Sequence, residues 1–102
     1  MKTFVYKLKL NERLYDEKAW TDVDHSAVEA HFERLKEDFL KGFILHVGRT
    51  EDPRYDGFGL VIFHAKDDEE AHAYMMKDPA IIGGQMTGKV FEYKPIFHLS
   101  KD

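Results

Sequence analysis

The sequence predicts an α+β fold in the order β-α-β-β-α-β, a four-stranded antiparallel sheet with helices covering one face. Three observations predict it. Residues 3–10 alternate Phe4, Tyr6, Leu8 and Leu10 against Thr3, Val5, Lys7 and Lys9, the two-residue period of a strand. Two stretches carry a helix-start pattern, a capping side chain followed three positions later by an acid: Ser26 with Glu29, and Asp67 with Glu70. The segment "GFGLVIFHA", 57–65, is apolar on both faces, with Phe58, Leu60 and Ile62 on one side and Val61 and Phe63 on the other. Such a strand needs cover twice, from helices on one side and from a second subunit on the other.

Taken in order, the first strand spans 3–10. Residues 11–23 are polar and irregular and read as a loop docked through Trp20, its only large apolar anchor. The first helix starts at the Ser26–Glu29 pattern, sets Val28, Phe32, Leu35 and Phe39 at helical spacing, and stops at Gly42. On a helical projection His31 falls at the edge of that stripe, beside Ala27, Leu35 and Asp38. "FILHV", 43–47, is too short and too β-branched for a helix and forms the second strand, which ends near Gly48 and Arg49. "RTEDPRYDG" is a turn-rich hairpin connection to the third strand at 57–65. The second helix carries Ala71, Tyr74 and Met75 and runs to about Lys77, because Pro79 forces the residue before it out of the helical region. "AIIGG" is a turn and "KVFEYKPIF" the last strand. This order is the split βαβ, or ferredoxin-like, arrangement.

At 102 residues, 43% hydrophobic and 33% charged, the chain reads as a single domain over 1–102 whose modest core favours association. No apolar run approaches the roughly 20 residues that cross a bilayer. The start "MKTFVYKLKL" alternates and lacks the apolar block of a signal peptide, so a cytoplasmic location and no membrane contact are expected. The net charge of -4 comes from interspersed acids and bases with no Lys/Arg stripe, which argues against nucleic acid. The absence of cysteine excludes disulfides, thiolate metal sites and a cysteine nucleophile.

Six histidines then carry the chemical question. Histidine is the residue type whose reference pKa, about 6.5, suits a general base at neutral pH, and His31 equally suits a hydrogen-bonded packing role. His46, His64 and His72 offer no pair at helical i, i+4 spacing and no His-Glu-x-x-His, so neither a metal nor a cofactor is expected. Arg49, at the end of the second strand, is suited to holding a carboxylate or enolate, or to solvation beside Glu51 and Asp52. Asp78 before Pro79 is a natural N-cap for the "PAII" turn. Tyr6 and Tyr93 read as core or interface tyrosines.

From Phe4 to Phe97 these segments resemble the YciI-related (YCII) family. "AHFERLKEDFLKGFILHVG" resembles that family's His-Leu-x-x-Leu helix, glycine stop and following strand. "GFGLVIFHAKDDEEAHAYMMKDPAIIGG" resembles its third strand, second helix and Asp-Pro-x-x-x-x-Gly segment, and "VFEYKPI" its last strand with a basic-Pro-apolar ending. The resemblance implies a subunit that pairs into a dimeric α+β barrel, and a cleft holding a histidine and an aspartate, which map to His31 and Asp78. It also implies elimination or isomerisation of a small organic molecule, anionic or aromatic, by analogy with a dehydrochlorinase in the family. Where the family has Gly-Pro after the second strand, this chain has Gly48-Arg49, a change at the pocket rim. Two function classes follow: a small dimeric enzyme using His31 and Asp78 for proton transfer, or a non-catalytic ligand-binding or dimeric interaction module.

Overall fold

The computed structural model describes residues 1–99. Four strands, β1 (Lys2–Leu10), β2 (Ile44–Arg49), β3 (Gly59–Ala65) and β4 (Met86–Glu92), form one antiparallel sheet in the order β2-β3-β1-β4. Helices α1 (Asp22–Leu40), α2 (Asp68–Met76) and α3 (Pro79–Ile82) complete the α+β fold, compatible with the ferredoxin-like arrangement. β1 is central, paired along one edge with β3 and along the other with β4, so that Tyr6 stands opposite both Val61 and Val90. Its inward residues Phe4, Tyr6 and Leu8 join Val61, Phe63 and Ala65 of β3, Leu35 of α1, and Ala71 and Met75 of α2 in one buried cluster. The Tyr74 ring sits 4.9 Å from the rings of both Phe43 and Phe63, which extends this cluster under α2.

Several boundaries differ from the sequence expectation. α1 begins four residues before Ser26, at Asp22, with Thr21 as its N-cap. Thr21 and Asp24 form a reciprocal capping box. This earlier start prevails because Asp24 is held from outside the helix as well, by Arg13 at 2.8 and 3.0 Å and by Gln85 at 3.0 Å. Residues expected as an irregular loop instead contain two 3₁₀ turns, Glu12–Tyr15 and Glu17–Ala19, and Leu14 rather than Trp20 is the fully buried anchor. Trp20 is half-buried and its indole N–H donates to the Leu14 carbonyl at 2.9 Å. "AIIGG" is not merely a turn, since its first three residues lie in α3.

The largest correction concerns which face of α1 is buried. Asp24, His31 and Leu35 are the residues of that helix buried in the domain, while Phe32 and Phe39 are about half exposed. His31 is therefore central on the buried face and not at its edge. The helix ends as expected at Gly42, whose φ of 81° is the left-handed conformation that costs a side chain strain. Gly42 N–H donates to Phe39 and Phe43 N–H to Asp38, both at 3.0 Å, which completes a Schellman ending and aims the chain into β2.

Candidate active site

Three elements far apart in sequence converge on one carboxylate. Asp78 caps α3, so its Oδ1 accepts the Ala80 backbone N–H at 2.9 Å, the role that Asp-Pro predicts. Tyr6, inward-facing in the middle of β1, donates its hydroxyl to Asp78 Oδ2 at 2.8 Å. His31, from the buried face of α1, places Nδ1 2.7 Å from both carboxylate oxygens. Tyr6 and Asp78 are fully buried and His31 is 2% exposed. The two residues paired by resemblance are thus in hydrogen-bond contact, and the capping and pairing roles of Asp78 coexist.

Electrostatics fix the protons. Burial alone pushes the Asp78 carboxyl up, but the hydrogen bond and charge of His31, with the bonds from Tyr6 and Ala80, outweigh it and hold Asp78 below the usual carboxylate range. Burial, and next the Asp78 charge, push the Tyr6 hydroxyl far above its ordinary value, so it stays protonated and donates. An ionised Asp78 accepts only, and so Nδ1 of His31 carries the hydrogen in this bond. Nε2 is then the nitrogen left to exchange a proton with a ligand.

His31 lines a cavity of about 390 Å³ between α1 and one end of the sheet, walled mainly by apolar side chains including Leu8, Leu35, Phe58, Val61 and Met86. Trp20, Pro53 and Arg49 border it as well. Arg49, the expected anion-holding residue, is exposed, and its Nη1 donates to the carbonyls of Thr50 and Glu51 at 2.9 and 2.8 Å. Among the described residues no three His, Asp or Glu side chains gather as a metal site.

Sequence reasoning missed two contributors. Tyr6 was legible as a strand tyrosine, yet nothing local distinguishes a core hydroxyl from one bonded to a buried carboxylate. The Arg13–Asp24–Gln85 network was visible only as the Thr21-x-x-Asp24 spacing, and it ties the first 3₁₀ turn to α1 and to the start of β4. Asp24 is held far below the ordinary carboxylate range, first by its bonds from Arg13 and then by those from Gln85 and Thr21.

The signs of these shifts give a pH prediction. Both carboxylates have a folded pKa below the unfolded value, so their contribution to stability is present above the unfolded pKa of about 4 and is lost as pH falls through the folded pKa. The urea midpoint is expected to be insensitive to Asp24 and Asp78 titration above about pH 5 and to fall below pH 4. An Asp24→Asn variant, measured over pH 2–6, should show a shallower acid limb.

No protein-family model and no curated protein sequence matches this chain.

Proposed function

We propose that the chain is a small cytoplasmic enzyme in which His31 takes a proton from a small organic molecule bound in the cavity, with Asp78 as the positioning residue behind it. The observation that carries this reading is a nearly sealed histidine that lines the cavity and bonds a buried carboxylate through its other nitrogen. A purely structural histidine needs a partner for its ring, but does not need to line a cavity. Asp78 stabilises the imidazolium as it forms and Tyr6 holds the carboxylate in place, the division of labour expected of a base and its orienting group. The resemblance to the YciI-related family supports the same pair and makes elimination or isomerisation the reaction class.

The proposed assembly is a homodimer through the sheet face opposite the helices. Across that face Phe91, Val5 and Ile62 stand in one register row, with Phe91 52% exposed, Ile62 partly exposed and Val5 buried between them. Light scattering at micromolar concentration should give a dimer; a monomer contradicts this part.

The enzymatic reading is tested by incubating wild-type protein in deuterium oxide with a panel of catechols, hydroxyquinols, lactones and ketones. Exchange or elimination of one compound above the solvent rate supports it. A panel that binds at the cavity with no turnover favours the ligand-binding alternative.

A further inference from the structure

The charge of the molecule that fits this cavity is set by what surrounds His31. We propose that the cavity takes an uncharged, largely apolar ligand of one or two rings bearing a single weakly acidic proton, and that it disfavours anions; this rests on the reading of His31 as the base.

The walls offer little to a charge. Leu8, Leu35, Phe58, Val61 and Met86 present hydrocarbon or aromatic surface. A charged group taken from water into such surroundings needs a partner of opposite sign to recover its hydration. The buried charge closest to His31 has the wrong sign for an anion. Asp78 is fully buried, and its direct partners there are the Tyr6 hydroxyl, the Ala80 N–H and the imidazole, so a carboxylate arriving at Nε2 would face a like charge across one ring. The guanidinium of Arg49 does not change this balance, because it is exposed and its Nη1 is anchored on two carbonyls of its own loop. A charge in contact with solvent is screened and contributes little to a group seated against the apolar walls.

An uncharged acid avoids the penalty until the reaction itself creates the charge. The C–H or O–H bond of the ligand breaks, its electron pair remains on the ligand, and the proton forms a new N–H bond with the Nε2 lone pair. The total charge in the cavity is unchanged by this step. The new anion is then paired with the imidazolium, which is in turn paired with Asp78. An arrangement that favours the charge only once it develops lowers the barrier rather than merely tightening binding. The cavity volume of about 390 Å³ lies within the small-molecule range.

The test compares phenylacetamide with phenylacetate, which share a shape and differ in charge, by NMR titration of the wild-type protein at pH 7.5. The ring resonances of His31 and the indole N–H of Trp20, the single tryptophan and a cavity neighbour, report on binding. Phenylacetamide should move both and bind at least about tenfold more tightly than phenylacetate. Equal or tighter binding of phenylacetate, lost in Arg49→Gln, overturns the proposal and leaves His31 as a candidate base. If neither compound, nor 2-naphthol, nor phenylacetone moves these resonances, the proposal and the small-molecule reading of the cavity both fail.

Discussion

Replacing Asp78 with alanine is expected to destabilise the fold by about 3–5 kcal/mol, the range for removing one partner of a buried, hydrogen-bonded pair. Three groups lose their acceptor at once: Nδ1 of His31, the Tyr6 hydroxyl and the Ala80 N–H, all buried. Each unsatisfied polar group in such a place costs roughly 1–3 kcal/mol. For a domain near 100 residues the corresponding loss of melting temperature is about 12–40 °C, from roughly 4–8 °C per kcal/mol, and circular dichroism during thermal and urea unfolding measures both. Tyr6→Phe provides a graded comparison, because it removes one bond to a charged acceptor and keeps the ring that packs on Phe63 and Tyr74. Its expected cost is about 1.5–3 kcal/mol. A loss below about 1 kcal/mol for Asp78→Ala would show that the carboxylate is not the hub of this network.

His31→Ala removes the other partner of the same buried pair and so costs stability as well, but its diagnostic effect is on rate. On any substrate that the wild-type protein turns over, kcat should fall by about 10²- to 10⁴-fold, the range supplied by a positioned general base. The deleted ring both lines the cavity and contacts Asp78, so added imidazole entering the space it leaves should restore part of the rate. Unchanged turnover, measured at saturating substrate, would remove His31 from the mechanism. Loss of turnover without loss of binding places the effect in the chemical step rather than in ground-state affinity.

Why the fold was more legible than the site follows from where each signal resides. The alternation in β1 and the doubly apolar β3 are local patterns, and both elements form, with Phe4, Tyr6 and Leu8 of the first and Val61 and Phe63 of the second buried. Asp67 and Asp78 cap helices as their local sequences require, the first by accepting Glu70 N–H and the second by accepting Ala80 N–H. The start of α1 was harder because two capping patterns lie within one helical turn or so of each other, Thr21 with Asp24 and Ser26 with Glu29. The decision comes from Arg13 and Gln85, which only tertiary structure brings to Asp24.

The buried face of α1 was misread for a related reason. Hydropathy favours Phe32 and Phe39 as core residues, whereas the domain buries Asp24 and His31 because other elements supply their hydrogen bonds. A polar side chain with its partners in place can be buried where a larger apolar one remains half exposed. That rule also explains Tyr6, whose hydroxyl has a partner 72 positions away. The residues of the candidate site were thus present in the sequence as types, and their mutual placement was not.

The central claim is that His31 offers Nε2 to the cavity while Asp78 holds a hydrogen on Nδ1. The ¹⁵N resonances of the His31 ring, recorded near pH 8.5 with and without phenylacetamide, test it most directly. The account predicts a protonated nitrogen at Nδ1, a lone-pair nitrogen at Nε2, and a shift of Nε2 when phenylacetamide is added. A hydrogen on Nε2 with the lone pair at Nδ1 would contradict it.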